Sequence, residues 1–254
     1  MSIHMQRQVA LITGATSGIG AAFARSFASK NYDLIITGRR ADKIKILAQE
    51  LQAKYGINIE VIIIELTNVH DLARLIQKVK AQKNLSILIN NAGFGSKNNF
   101  HASDIIVWEN MLKVHAEAVI QLTHAALPNM LAKNFGTIIN VSSILAFFPY
   151  RRHAMYTATK AFINLFTKTI AKELKNTGVR VQALCPGLTV TDFHMQMGMD
   201  ASKAYKAHGF IKPMQPDAVV AKSLKCLKKN KTVCIPGFLN KLVVMLAVLI
   251  RFKG

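Results

Sequence analysis

Short apolar runs alternate with longer amphipathic stretches along most of the chain, and this alternation constrains the fold more than any other feature. The apolar runs are nearly continuous in apolar residues, as expected for parallel strands that are covered on both faces. Between them lie stretches such as ADKIKILAQELQAKY, which have the spacing of amphipathic helices. The runs lie at Val9–Thr13, Asp33–Thr37, Val61–Leu66, Leu85–Asn90, Thr137–Ser142 and Val179–Leu184, with a short last candidate at Thr232–Pro236.

Strand–helix alternation of this kind predicts parallel βαβ units with right-handed crossovers. We therefore expect one α/β domain over residues 1–254: a doubly wound, Rossmann-type parallel sheet of about seven strands with helices on both faces. The 254 residues, of which 51% are hydrophobic, allow a core of that size.

Cysteine and charge content narrow the class of protein. Cys185, Cys226 and Cys234 form no CxxC pair, which disfavours a disulfide framework and a metal site, and indicates a reducing, cytoplasmic compartment. We expect no secretory signal, because no apolar segment with a cleavage site precedes Val9. The net charge of +20 attracts anionic lipids and phosphorylated cofactors. Since no nucleic-acid-binding motif is present, no specific nucleic-acid partner is expected.

The longest apolar run, Leu242–Ile250, lies within an apolar C-terminal helix that we predict over residues 238–254. It is shorter than the roughly 20 residues that a membrane span requires. Two alternatives remain open. One is a buried helix or subunit contact; the other is a peripheral anchor at the cytoplasmic face of a membrane, which the flanking Lys241, Arg251 and Lys253 would suit.

The segment 191–210, TDFHMQMGMDASKAYKAHGF, follows the sixth strand and is rich in methionine. Methionine adapts to irregular apolar shapes, so the segment is interpreted as a helical lid over an apolar substrate. The alternative is a small packing helix.

The stretch TGATSGIG joins the first strand to the first helix and carries Gly14, Gly18 and Gly20. Glycine allows the backbone to approach a ligand closely, and the amides of a helix N-terminus attract phosphate. This context predicts a dinucleotide site that includes Thr16, Ser17 and Ile19.

The second strand ends in IITGRRADK, where a site for NAD usually has an acidic residue that binds the ribose hydroxyl. Arg39 and Arg40 stand there instead, and guanidinium groups suit a 2′-phosphate. The sequence therefore favours NADP over NAD, with two solvated arginines as the alternative.

Tyr156 and Lys160 lie four residues apart in MYTATKAFI, on one face of a predicted helix. A nearby ammonium is expected to lower the pKa of the phenol, which could then exchange a proton. Ser143, thirteen residues earlier, ends the fifth strand, where its hydroxyl and the phenol can meet at one substrate oxygen.

With these motifs the chain resembles the short-chain dehydrogenase/reductases. The likeness rests on TGATSGIG, NNAG (Asn90–Gly93), Ser143, YTATK and PGLTVT, in that order along the chain. The resemblance implies that Tyr156 is the general acid/base, that Ser143 polarises the substrate oxygen, and that Lys160 assists Tyr156 and holds the nicotinamide ribose.

The resemblance also implies a set of cofactor contacts beyond the glycine turn. Asn91, Ala92 and Gly93 would line the cofactor cleft, and Glu65 and Leu66 would lie at the adenine. The loop with Pro186, Gly187, Thr189 and Thr191 would touch the nicotinamide end.

One position departs from the family pattern. His115 in MLKVHAEAV stands where an asparagine commonly helps to hold a water chain that leads to the active-site lysine. Imidazole can bind water or carry a proton, so His115 is a candidate catalytic residue; the alternative is a histidine that only packs between helices.

The expected function is hydride transfer between NADP(H) and a carbonyl or alcohol substrate of apolar character. The alternative is a catalytically silent NADP(H)-binding module with a regulatory or membrane-surface role. Family members often form dimers or tetramers through the helices that bear the tyrosine, so the resemblance implies a homo-oligomer.

Overall fold

The computed structural model describes residues 7–96, 98–193 and 212–251, without the side chains of residues 250 and 251. Seven parallel strands form one sheet in the order β3-β2-β1-β4-β5-β6-β7. Strands β1 to β7 span Val9–Ile12, Asp33–Gly38, Ile59–Ile63, Leu85–Asn90, Gly136–Val141, Val179–Leu184 and Val233–Cys234. The predicted fold class is confirmed.

The helices of the described residues connect these strands. Helices α1 to α8 span Gly18–Ala28, Ala41–Tyr55, Val69–Ala81, Ile105–Leu112, Ala118–Ala132, Ala154–Glu173, Pro216–Lys228 and Phe238–Arg251. A π-helical turn, Lys113–Glu117, joins α4 to α5, and short 3-10 turns lie at Phe100–Ala102 and Ile144–Phe147.

Each face of the sheet has its own apolar core. Phe23 of α1, Ile44 of α2 and Val219 of α7 belong to one buried cluster, together with residues of the strands. Leu75 of α3 and Leu122 of α5 belong to the other. Because both faces are covered, the central strands are apolar throughout, as the sequence indicated.

The order of the strands places a crevice at one edge of the sheet. The chain builds outward from β1 to β3 and then crosses to β4, which pairs with the other side of β1. In open parallel sheets, ligands bind at such a switch point, beyond the carboxyl ends of the strands. Thr13 and Asn91 follow β1 and β4 at this edge.

The predicted limits of β3 were wrong at both ends. The apolar run was predicted as a strand over Val61–Leu66, whereas the strand spans Ile59–Ile63. Within the described part of the chain it pairs with β2 alone, whose ladder pairs with those residues. Ile64 and Leu66 are buried beyond the end of the strand, so their apolar character reflects the core and not the ladder.

Two further features of the described residues bear on later sections. The three cysteines are free and buried. No described helix combines the length and the apolar character needed to cross a bilayer.

Candidate active site

Tyr156 and Lys160 lie together on α6, and Lys160 is anchored to the end of β5. The Lys160 Nζ lies 5.6 Å from the centre of the Tyr156 ring and donates a hydrogen bond of 2.8 Å to the Val141 carbonyl oxygen. The Ser142 hydroxyl donates to the Lys160 carbonyl oxygen at 2.9 Å. The Lys160 side chain is buried, whereas Tyr156 keeps part of its surface exposed.

Ser143 meets the phenol from the end of β5. Its hydroxyl lies close enough to the Tyr156 side chain to stabilise the phenolate form. The same oxygen accepts a hydrogen bond from the Leu145 amide at 3.2 Å and so caps the 3-10 turn that follows. The structure thus brings Ser143, Tyr156 and Lys160 to one point at the carboxyl edge of the sheet.

Burial controls the ionisation of this group. It raises the pKa of Tyr156 to about 12, and the hydrogen bond with Ser143 acts in the opposite direction. Burial also lowers the pKa of Lys160 to about 8, opposed by the charge interaction with Cys185. The sequence predicted a lowered pKa for the Tyr156 phenol, and this prediction is wrong. The cost of desolvating the phenolate outweighs its stabilisation by the Ser143 side chain.

His115 lies in the π-helical turn, fully buried, with both ring nitrogens engaged. Its Nε2 accepts a hydrogen bond of 3.1 Å from the Phe94 amide, so the proton of the neutral ring is on Nδ1. Nδ1 lies 3.0 Å from the Thr159 hydroxyl oxygen, which in turn donates to the Tyr156 carbonyl oxygen at 3.1 Å.

Burial, reinforced by the charge of Lys160, holds the pKa of His115 well below its usual range. A β-carbon on Gly93 would lie 2.8 Å from His115 Nε2, so this close contact requires glycine. With both nitrogens bonded to protein, the geometry favours a histidine that fixes the α6 backbone beside Tyr156 over one that carries protons or binds water.

The glycine turn packs against two neighbouring segments. Gly14 and Gly18 have φ values of +67° and +57°, which favour glycine. A β-carbon on Gly14 would meet the Ala92 backbone, and one on Gly18 would lie 2.7 Å from the Thr191 methyl carbon. The Ser17 hydroxyl makes no cap for α1 and instead accepts a hydrogen bond from Arg40.

Thr13 was missed by the sequence analysis. Its hydroxyl oxygen accepts hydrogen bonds of 3.0 Å from the amides of Asn91 and Ala92. The Asn91 side chain in turn donates to the carbonyl oxygens of Thr13 and Gly14. These bonds join the ends of β1 and β4. The signal available in the sequence was a polar residue directly after a buried strand.

A basic cluster, Arg39, Arg40 and Lys43, lies between the end of β2 and the first turn of α2. Arg40 donates to Thr16 Oγ1 at 2.7 Å and to Asp192 at 2.8 Å, and Lys43 donates to the same carboxylate at 3.1 Å. These bonds hold the pKa of Asp192 below its usual range, and the hydrogen bond from Arg40 contributes most to this shift.

Arg39 points elsewhere within the same region. It is 62% exposed and forms a 3.1 Å ion pair with Glu65. Leu66, the other residue expected near the adenine, is buried in the second core cluster. The sequence analysis did not predict a role for Lys43 or Asp192 in this cluster. Asp192 is 152 positions from Arg40, so no local pattern connects the two residues.

The loop after β6 touches both the C-terminal helix and the glycine turn. Pro186 accepts a hydrogen bond from the Ile144 amide through its carbonyl oxygen, and a β-carbon on Gly187 would meet the Asn240 side chain. Thr189 donates to the Gly187 carbonyl oxygen at 3.0 Å. Of the predicted lid, residues 194–210 lie outside the described residues.

Phe193 is the last described residue of that segment, and its ring centre lies 5.9 Å from that of Tyr156. The rings of His115 and His153 approach the same phenol, at 5.8 and 6.3 Å. The phenol is therefore framed mainly by flat, weakly polar surfaces.

Comparison with known proteins agrees with this arrangement. The family model for short chain dehydrogenases matches residues 8–202. The 3-oxoacyl-[acyl-carrier-protein] reductase FabG of Aquifex aeolicus is 32% identical over 207 residues, which cover 81% of this chain and 84% of that protein. The NADP-dependent 3-hydroxy acid dehydrogenase YdfG of Escherichia coli is 32% identical over 215 residues, 83% of this chain and 85% of the relative.

A solved short-chain dehydrogenase from Sphingobium yanoikuyae, in complex with NADPH, superposes with a TM-score of 0.85 at 30% sequence identity. The match covers 91% of this chain and 88% of that structure. The family match spans most of the chain and includes the glycine turn, Ser143, Tyr156 and Lys160. The chain is therefore an oxidoreductase of the short-chain dehydrogenase/reductase family.

Proposed function

We propose that the protein transfers a hydride between NADP(H) and the carbonyl–alcohol pair of an apolar substrate, with Tyr156 as general acid/base. The observation that carries this proposal is the meeting of the Ser143 hydroxyl and the Tyr156 phenol, with the Lys160 ammonium beside the ring. All three groups lie at the carboxyl edge of the sheet, where ligands of such folds bind.

The residues at the glycine turn fit a dinucleotide. Gly14 and Gly18 have positive φ values and contacts too tight for a β-carbon. The backbone before α1 and at its start is therefore free of side chains at these two positions. Since Ser17 does not cap this helix, its first amides are available to a pyrophosphate. Asn91 to Gly93, bound to Thr13 and packed on His115, would form the opposite wall.

The basic cluster fits the 2′-phosphate of NADP(H). Arg39, Arg40 and Lys43 bring three cations to the end of β2, where a cofactor without that phosphate usually meets an acid. The named cofactor of the Escherichia coli relative and the NADPH in the Sphingobium structure support the same choice. A bound 2′-phosphate would replace the Asp192 carboxylate as the hydrogen-bond partner of Arg40 and Lys43.

When bound, NADPH supplies the hydride. Ser143 and Tyr156 donate hydrogen bonds to the substrate oxygen as negative charge develops there. With a pKa of about 12, Tyr156 holds its proton at neutral pH and can donate it in the reductive direction. The buried Lys160 cation then stabilises the phenolate, and the His115–Thr159 hydrogen bonds keep the backbone of Tyr156 in place.

The surroundings of the phenol suit an apolar substrate. Phe193 and His153 lie beside Tyr156. Phe147 ends the 3-10 turn after Ser143 and Phe148 follows it, both with part of their surface exposed. Residues 191–193 begin the segment that we propose as the lid.

We also propose a homo-oligomer. Apolar side chains are exposed on α4 and α6, at Ile105, Ile106, Leu112, Phe162 and Leu165. Residues from Leu112 to Gln121 line a shallow surface groove of about 330 Å³ beside them. Burial of these side chains in a second copy would stabilise the assembly, and light scattering measures its molar mass. The proposed compartment is the cytoplasm.

Turnover of a carbonyl panel by the Tyr156→Phe variant tests the central proposal. We expect kcat/KM with NADPH to fall by about 10²- to 10⁴-fold, while NADPH binding is retained, because only the proton donor is lost. Tyr150→Phe is the matched control, since Tyr150 is half exposed and six residues away. Full activity in Tyr156→Phe would overturn the assignment. NADPH binding by the wild type without turnover of any carbonyl would support the silent module instead.

A further inference from the structure

Helix α8 presents two different faces. Asn240 and Val244 are buried against the body of the protein, at 4% and 7% exposure. The other face carries exposed apolar side chains on six residues: Phe238, Leu239, Leu242, Met245, Leu246 and Leu249. At about 100° per residue, these six form one continuous stripe about 120° wide.

This stripe is not the ordinary scatter of apolar residues on a surface. Phe238 is 79% exposed and Leu249 is 57% exposed, and they lie at opposite ends of the stripe. A contiguous exposed apolar surface of this kind marks an interaction site. Lys241, also exposed, lies at the border of the stripe.

The charge of this part of the chain argues for a particular partner. Residues 218–254 contain eight basic residues and no Asp or Glu. The basic residues are Lys222, Lys225, Lys228, Lys229, Lys231, Lys241, Arg251 and Lys253. A second copy of the chain, paired through α8, would bring the same local positive charge to that contact. An anionic lipid surface offers both an apolar layer and the opposite charge.

The start of α8 lies next to the candidate active site. The Asn240 side chain packs on Gly187 and donates to the Pro236 carbonyl oxygen at 2.7 Å. The helix also contacts the 3-10 turn Ile144–Phe147, which follows Ser143. A partner of α8 would therefore lie close to the mouth of the site.

We propose that α8 docks the protein onto an anionic lipid bilayer, with the apolar stripe in the interfacial layer and Lys241 at the headgroups. The helix lies on the membrane and does not cross it. This position would bring the site close to substrates dissolved in the bilayer, a consequence that rests on the proposed carbonyl reduction.

Vesicle flotation tests the docking directly. Full-length protein is mixed with phosphatidylcholine vesicles that contain phosphatidylglycerol, or with vesicles of phosphatidylcholine alone. We expect binding to the anionic vesicles that weakens as salt rises, because the charge attraction is screened. The variant Leu242→Gln with Leu246→Gln and Leu249→Gln should lose at least about tenfold in bound fraction. These side chains are exposed, so the fold should be preserved.

The matched control is Ile46→Gln with Val69→Gln, which removes apolar side chains of equal or greater exposure on α2 and α3. It should bind vesicles like the wild type. Wild-type protein that ignores anionic vesicles would overturn the proposal. Binding of the α8 variant equal to that of the wild type would assign the attraction to charge alone and would also overturn the proposal. A wild type that does not bind vesicles, combined with a lower molar mass of the α8 variant, would overturn it as well, because α8 would then be a contact between copies of the chain.

Turnover separates this inference from the proposed function. With a water-soluble carbonyl and NADPH, the α8 variant should be as active as the wild type. If the α8 variant no longer binds vesicles but turns over the carbonyl normally, the membrane-docking proposal is supported independently of catalysis. A wild type that binds vesicles but turns over no carbonyl contradicts only the proposed function.

Discussion

The group around Tyr156 and the basic cluster around Arg40 lie at the same edge of the sheet, yet they differ in how their charges are held. Lys160 and His115 are buried and bonded mainly to uncharged protein groups. Arg39 and Lys43 are 62% and 55% exposed and pair with carboxylates. In the first region burial sets the ionisation of the side chains. In the second region exposed cations pair with carboxylates, which a phosphate could replace. The comparison separates residues suited to chemistry from residues suited to recognition.

After replacement of Tyr156 itself, removal of the Ser143 hydroxyl should have the largest effect on turnover. Ser143→Ala deletes one donor to the developing negative charge, so kcat/KM for carbonyl reduction should fall by about 10²- to 10³-fold. Steady-state kinetics check this, and Ser29→Ala, at the exposed residue that follows α1, is the control. Unchanged kcat/KM would remove Ser143 from the mechanism.

In the basic cluster, loss of one cation should affect the cofactor and not the chemistry. Arg40→Gln should raise the KM for NADPH by about 10- to 100-fold, since hydrogen bonds to a charged phosphate are lost, and leave the KM for NADH nearly unchanged. Arg25→Gln, at an exposed ion pair with Glu50, is the control. An equal effect on both cofactors would contradict the assignment of the 2′-phosphate.

We propose a structural role for His115. His115→Ala should lower the free energy of unfolding by about 2 kcal/mol, because the partly buried Phe94 amide loses its acceptor. Urea unfolding measures the change, and His124→Ala on the exposed side of α5 is the control. Rescue of the pH–rate profile by external imidazole would instead indicate proton transfer by His115.

The pH dependence of reduction should follow Lys160. Its pKa is lowered to about 8, so the ammonium is present below that pH and lost above it, while Tyr156 stays protonated up to about 12. We expect kcat/KM to fall by about tenfold per pH unit above 8. A profile with an inflection near 6.5 would contradict this, because the pKa of His115 is far below that value.

The smallest effect is expected at Asp192. Asp192→Asn removes the carboxylate that competes with phosphate for Arg40 and Lys43, so the KM for NADPH should fall by at most about fivefold. The effect should fade at high salt because the groups are partly exposed. Glu60→Gln, at the exposed pair with Lys78, serves as control; a rise in KM would mean that Asp192 helps to hold the basic cluster in place.

Local patterns in the sequence predicted the sheet and the composition of the group around Tyr156. Apolar runs placed the strands, and the four-residue spacing placed Lys160 beside Tyr156. The predicted end of β3 was wrong because the apolar run continues beyond the last paired residue of the strand, to the buried Ile64 and Leu66.

Contacts between distant segments were not predictable in the same way. Thr159 meets His115 across 44 positions and Asp192 meets Arg40 across 152. Those pairings depend on where loops end after the sheet has formed. The direction of the Tyr156 pKa also depends on burial, which spacing alone does not reveal.

The shielding of the native thiols has a practical consequence. Burial raises the pKa of Cys185 to about 12 and raises that of Cys234 as well, and thiolates are the form that reacts with alkylating reagents. A cysteine introduced on the exposed side of α8 should therefore react with a maleimide dye well before the native thiols. Such a single label would report directly, by its emission colour, whether that helix enters a less polar environment.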